Sequence, residues 1–157
     1  VPDSNALPDH LHAAITKLCA EGDAQIEAGS FEAALDNYDK ALALIPGDKA
    51  QWEPSTWVFG AKGDALFAMR QWRAALNNFM SAAVCPGGFG NPFIHLRLGQ
   101  CCLEVGDPKR AADELTRAYA LEGEKLFAAD GAKYLAFLKT QILPEPKRPP
   151  SWWPFSS

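Results

Sequence analysis

The residues of this chain best suited to metal binding or nucleophilic chemistry are its three histidines and four cysteines. His10 and His12 stand with Asp9 at the expected start of a helix, and His95 lies on one helical face with Cys102. A structural or catalytic metal needs three or four such ligands converging, and no further ligand stands at a useful spacing from either pair. A core histidine with its hydrogen bonds satisfied is the better account of His95. Cys19, Cys85, Cys101 and Cys102 form no C-x-x-C pair, and two adjacent helical residues cannot easily bridge. Unpaired thiols in a helical core suit a reducing compartment, so a cytoplasmic location is expected.

Other sources of chemistry are also missing. The sequence has no G-x-S-x-G elbow, no glycine-rich loop ending in Gly-Lys-Ser/Thr and no H-E-x-x-H. Gly87-Gly88-Phe89-Gly90 is the one run that could cradle an anion. It joins two helical segments, ends in an Asn91-Pro92 cap and has no basic residue after it, so it reads as a flexible connector. The carboxylates are scattered over solvent-facing helical positions without a close pair. The expectation is therefore a non-enzymatic protein with no cofactor and no metal.

Net charge is −4, from 15 basic and 19 acidic residues, which argues against nucleic acid as the main partner. The charge is uneven: residues 1–50 hold nine acids and three bases, and residues 51–100 hold two acids and four bases. A partner with a basic end would suit the acidic first third, although a solvated acidic helix face is the plainer reading. No apolar run reaches the length of a membrane span, so membrane insertion is not expected. There is no visible signal peptide, but the chain begins with Val1, which leaves a cleaved leader open.

What positions all these residues is a unit that appears three times. The stretches are ITKLCAEGDAQIEAGSFEAALDNYDKALALIP (Ile15 to Pro46), TWVFGAKGDALFAMRQWRAALNNFMSAAVCP (Thr56 to Pro86) and PFIHLRLGQCCLEVGDPKRAADELTRAYALE (Pro92 to Glu122). Each has glycine in its eighth place (Gly22, Gly63, Gly99) and a small residue further on (Ala34, Ala75, Ala111). Each then has a large residue (Tyr38, Phe79, Leu115) and a second alanine (Ala41, Ala82, Ala118). Apolar residues recur at three and four, break, and recur again, so each unit is a helix hairpin. Ser30 is placed to cap a second helix, and Gly106-Asp107-Pro108 supplies a helix stop, cap and first-turn proline in order. The small residues belong where two helices cross closely, with the large one filling the neighbouring hole.

This pattern resembles the tetratricopeptide repeat (TPR), a helix–turn–helix unit of about 34 residues. The resemblance runs from Ile15 to about Glu122 and includes the Pro46 and Pro86 stops. It departs at Glu21 and Lys62, where leucine is usual, at Gln25, where an aromatic is usual, and in an insertion after the first unit. It implies an all-α fold: a right-handed superhelical stack of three hairpins (about 15–46, 56–86 and 92–122) in a single domain over 1–143. A capping helix at about 124–142 would follow, either as part of one long helix or after a break capped by Asp130, and the break is favoured. An extended Pro/Trp-rich tail at 144–157 would end the chain.

The resemblance also implies that the first helices line an inner groove. In the first unit that means Thr16, Cys19, Asp23, Ile26 and Glu27, and in the second Trp57, Gly60, Asp64, Phe67 and Ala68. The third gives Phe93, Leu96, Gln100, Leu103 and Glu104, with Arg97 beside them. The TPR subset that clamps the carboxylate tail of heat-shock chaperones needs Lys and Asn where Cys19 and Asp23 stand, so that role is not expected. The expected partner-binding residues are Ile26, Trp57, Asp64, Phe67, Phe93, Leu96, Arg97, Gln100 and Leu103, because exposed aromatics mark interaction surfaces. The function expected is binding of a peptide or helix of a partner protein, as chaperone or immunity partner of a secreted bacterial effector. The alternative is a self-assembling scaffold. Trp152, Trp153 and Phe155 in the tail are expected to dock in an apolar groove of the same or another copy, the second case giving a homodimer.

Overall fold

The structure, a computed structural model, describes residues 6–142 of the 157. The expected contacts of Trp152, Trp153 and Phe155 lie outside the described residues. Within them the fold is all-α, with no strand. The helices are α1 (Asp9–Glu27), α2 (Phe31–Leu44), α3 (Glu53–Ala68), α4 (Trp72–Ala83), α5 (Pro92–Glu104), α6 (Pro108–Glu122) and α7 (Ala132–Ile142). Short 3-10 turns cover Lys49–Gln51 and Glu124–Phe127.

Helix ends follow local chemistry. The Asn91 side chain accepts the N–H groups of Phe93 and Ile94, and Asp107 accepts that of Arg110, each followed by proline in the first turn. Ser30 takes the capping place of α2 without a side-chain bond. After α1 and α5 the chain turns through Gly29 (φ 77°) and Gly106 (φ 85°). The matching turn after α3 uses Arg70 at φ 57°, where a side chain is strained. The last helix begins only at Ala132, after the 3-10 turn and a four-residue loop. Asp130 is bonded to Arg97 rather than capping α7.

Three hairpins form, α1 with α2, α3 with α4 and α5 with α6, and each hairpin packs its second helix on the first helix of the next. Thinner contacts join α1 to α3 and α3 to α5. The crossings are set by three glycines. A Cβ on Gly22 would lie 2.6 Å from Tyr38 Cε1, on Gly63 2.9 Å from Phe79 Cζ, and on Gly99 2.5 Å from Leu115 Cγ. The large residue of each unit thus rests on the glycine of the same unit. Ala34, Ala75 and Ala111 are buried beside it. The α7 end is closed by Phe127, Tyr134 and Leu138, which pack with Leu96, Leu115 and Ala118.

The long connection between the first two hairpins is closed on itself by one bond, and a second bond ties the start of α3 to the chain after α4. Trp52 Nε1 donates to the Pro46 carbonyl at 2.8 Å, and Thr56 Oγ1 donates to the Pro86 carbonyl at 2.7 Å. The Gly87–Gly90 run, expected to be a slack connector, is also fixed. A Cβ on Gly88 would fall 1.9 Å from the Ala82 carbonyl oxygen, so only glycine fits against α4 there.

Gly63→Ala should destabilise the chain by roughly 1–3 kcal/mol through overpacking against Phe79. Gly60→Ala, on the same helix with nothing near its Cβ, should stabilise it by about 0.5–1 kcal/mol. Urea titrations followed by circular dichroism will distinguish the two, and equal shifts would refute the crossing geometry. Arg70→Gly should add roughly 1 kcal/mol in the same assay by relieving the left-handed turn.

Candidate functional site

The first helices α1, α3 and α5 share one face, and most of the expected binding residues stand on it. Trp57, one turn into α3, is 38% exposed and meets His12 of α1 edge-on, with ring centroids 5.7 Å apart. Phe93, at the start of α5, is 37% exposed and lies edge-on to the buried Phe79 at 6.4 Å. Phe67 is half-buried against Trp72 at 5.0 Å. Ile26 and Leu103 are also half-buried.

Two expected lining residues are not on the surface. Leu96 is 2% exposed because Phe127, Tyr134 and Leu138 cover it from the C-terminal end. Gln100 is fully buried, its Oε1 accepting from Arg97 Nη1 at 2.9 Å. Among the described residues its Nε2 has no partner.

Arg97 organises the α3–α5 part of this face. Its guanidinium stacks over Phe67 at 4.3 Å and Phe93 at 4.9 Å. Nε donates to Asp64 Oδ1 at 2.7 Å, and Nη1 donates to Asp130 Oδ2 at 2.7 Å. A planar cation held by two carboxylates and two rings loses little further entropy when a partner arrives. Arg97 therefore fixes the two aromatics rather than offering a mobile charge. Asp130 was not expected in this role, since residues 33 apart in sequence carry no local signal of the pairing.

Two tyrosine–carboxylate bonds repeat along the stack. Tyr38 Oη donates to Asp23 Oδ1 at 2.7 Å, and Tyr134 Oη donates to Glu104 Oε1 at 2.8 Å. Burial, then the carboxylate beside it, pushes each phenol well above its ordinary value, so both remain donors. Lys133 Nζ also reaches Glu104 Oε1 at 2.5 Å. Its hydrogen bond, with that of Tyr134, holds the Glu104 carboxyl below the usual range despite partial burial.

No reactive group emerges among the described residues. Burial pushes the Cys101 thiol up to about 12, aided by Cys102, and the Cys102 thiol up to about 11. Burial and Asp23 push Cys19 up to about 11. All three are thiols rather than thiolates near neutrality. His95 is buried, with Nδ1 2.6 Å from Glu114 Oε2 and Nε2 2.6 Å from the Phe89 carbonyl oxygen. Both ring nitrogens are thus engaged, and this pair anchors the Gly87–Gly90 loop. Among the described residues no three of His, Cys, Asp and Glu converge as a metal site would require. No described helix is long and apolar enough to cross a membrane.

Between α1 and α3 lies a cleft of about 450 Å³, lined by Asp23, Ile26, Glu27, Tyr38, Ala61, Asp64, Ala65 and Ala68. With it the geometry of the face is complete: aromatics near the helix starts, an arginine-locked wall, and an acidic recess toward the helix ends.

Solved structures match this arrangement over most of its length. The type III secretion chaperone SycD of Yersinia enterocolitica, in complex with a peptide of the translocator YopD, superposes with a TM-score of 0.65 at 20% identity. The match covers 82% of this chain and 92% of that one. PcrH from Pseudomonas aeruginosa gives 0.64 at 20% identity, covering 90% and 99%. The first TPR of Spaghetti (RPAP3), bound to the HSP90 peptide SRMEEVD, gives 0.64 at 16%, covering 83% and 94%. The chain has the tetratricopeptide-repeat fold. No protein-family model matches the sequence, nor does any curated protein. At these identities the TPR likeness establishes architecture, and the face itself must speak for what it binds.

The Glu104 clamp carries a pH prediction. A carboxylate whose folded pKa is depressed stabilises above its unfolded pKa, about 4.3, and the benefit is lost as pH falls through the folded value. Glu104→Gln should lower the melting temperature at pH 7 by about 2–4 °C, the shift that ~1 kcal/mol produces at this chain size. The difference should shrink as pH falls below the ordinary glutamate range and through the depressed folded value. A gap independent of pH would show that the carboxylate charge is not what holds α7.

Proposed function

We propose that the α1/α3/α5 face holds a peptide or helix of a partner protein, and that the chain is a non-enzymatic adaptor. The observation that carries this reading is the exposure of Trp57 and Phe93 on a face whose neighbouring side chains are locked. Aromatic side chains with few rotamers, presented on a rigid support, are what dominates binding energy at interfaces. The described neighbours of the same fold include peptide complexes, which supports the reading by analogy.

The role we favour is that of chaperone or immunity partner for a secreted bacterial effector, keeping an apolar segment covered until it is needed. Its free cysteines fit work in the reducing cytoplasm. Copurification with identification of the bound chain by mass separates the two roles: a membrane-inserting exported protein supports the chaperone, and a toxin whose activity is blocked supports immunity. Self-assembly is the competing reading. It is favoured by Phe89 and Val84, 73% and 71% exposed around the α4–α5 connection. Sedimentation over a concentration series tests it.

Trp57→Glu should weaken partner binding at least about 30-fold, the loss of a hot spot of ~2 kcal/mol or more. Helix content and cooperative unfolding should stay within about 0.5 kcal/mol of the parent, as for other surface changes. A variant that unfolds would place Trp57 in the core and remove the reading.

A further inference from the structure

The recess between α1 and α3 has features that the aromatic part of the face lacks. Its floor is apolar and shallow, made by Ile26, Ala61, Ala65 and Ala68 with the Tyr38 ring. Its walls carry carboxylates from two different hairpins, Asp23 and Glu27 on α1 and Asp64 on α3.

The charges in and around it do not cancel. Asp64 is bonded to Arg97, but Arg97 is shared with Asp130, so one cation serves two carboxylates. Asp23 accepts from the neutral Tyr38 hydroxyl. Neither Asp23 nor Glu27 forms an ion pair among the described residues. Asp23 on α1 and Asp64 on α3 both line the recess with the Tyr38 phenol. The carboxylates line the recess without converging on a metal position.

We propose that this recess selects the partner by taking a lysine or arginine side chain flanked by apolar residues. The inference rests on the peptide-binding reading above and adds the chemistry of what is bound. A long cationic side chain is amphipathic: its methylene stem packs on Ile26 and the three alanines while its head reaches the carboxylates. Partial desolvation between the helices strengthens the attraction relative to an open surface. The recess is continuous with the aromatic face through Asp64 and Arg97, so one bound segment can place apolar residues on Trp57 and Phe93 and its cation in the cleft. The acidic N-terminal third adds a long-range field of the same sign, which speeds encounter with such a segment and repels acidic ones.

The test uses the full chain and two fluorescein-labelled, leucine-rich amphipathic peptides, identical except that a central arginine in one is citrulline in the other. Fluorescence anisotropy at low salt should show the arginine peptide binding roughly tenfold more tightly, as for one charge-assisted contact. Glu27→Gln, which removes a charge without breaking a described hydrogen bond, should cut that preference several-fold by weakening the arginine peptide much more than the citrulline peptide. Salt should erode the preference as well. Trp57→Glu should weaken both peptides together. Equal binding of the two peptides by the parent chain, still lost in Trp57→Glu, would overturn the cationic recess while leaving the peptide-binding face standing. Binding of neither would overturn both. Displacement of the arginine probe by a synthetic Leu143–Ser157 peptide, which contains Lys147 and Arg148, would assign the recess to the chain's own end and overturn the inference for a separate partner.

Discussion

The close approach of paired helices at Gly22, Gly63 and Gly99 is the constraint on which the rest of the molecule depends. A single methyl group at any of these positions would enter the space of Tyr38, Phe79 or Leu115. Because contact is this tight, each hairpin has little freedom to slide or rotate, and interiors packed to this density transmit position faithfully. The second helix of each hairpin then docks the next first helix, which brings α1, α3 and α5 to a common face. Trp57 and Asp64 share α3, and Phe93 on α5 is brought beside them through α4, which the Gly63 crossing seats on α3.

On that frame, polar contacts are spent where the stack could loosen. Arg97 ties α5 to α3 and to the loop before α7, and its guanidinium is sandwiched by the two rings it holds. Glu104 ties α5 to α7 through Tyr134 and Lys133, repeating in the last position what Tyr38 and Asp23 do inside the first hairpin. A terminal hairpin has no following neighbour to bury its apolar side, so a closing helix has to supply both the apolar cover and the anchoring bond. His95 and Glu114 perform a third such task, tying the α4–α5 connection to the core through the Phe89 carbonyl.

The hairpins, the helix crossings and the caps at Asn91 and Asp107 were legible in the sequence because each rests on local spacing or on a repeated pattern. Errors arose where the cause was non-local. Leu96 and Gln100 occupy places that line a groove in an inner unit. In the last unit, Leu96 is covered by a closing helix that the repeat pattern does not describe. Gln100 is drawn beneath Arg97 by a bond read only from the fold. Ser30 has the right residue type for a cap yet makes no capping bond, and Asp130 is taken by Arg97. The glycine run at Gly87–Gly90 looked slack by composition. Its rigidity comes from the Ala82 carbonyl and from His95, and neither is visible in the run itself.

A shared fold also leaves the sign of the bound charge undetermined. The Spaghetti domain has the same hairpin stack and is bound to SRMEEVD, a peptide with three carboxylate side chains. In this chain α1 presents Asp23 and Glu27, and Arg97 on α5 is already occupied by two carboxylates of its own chain. An acidic segment laid along this face would meet uncompensated like charge at α1 and find no mobile cation at α5, and like-charge juxtaposition costs several kcal/mol. Backbone architecture is indifferent to such a reversal, since the charged lining side chains are not the ones packed at the glycine crossings that set the stack. Selectivity can therefore invert from one protein to another through a few substitutions on first helices, with no change in the residues that determine the fold.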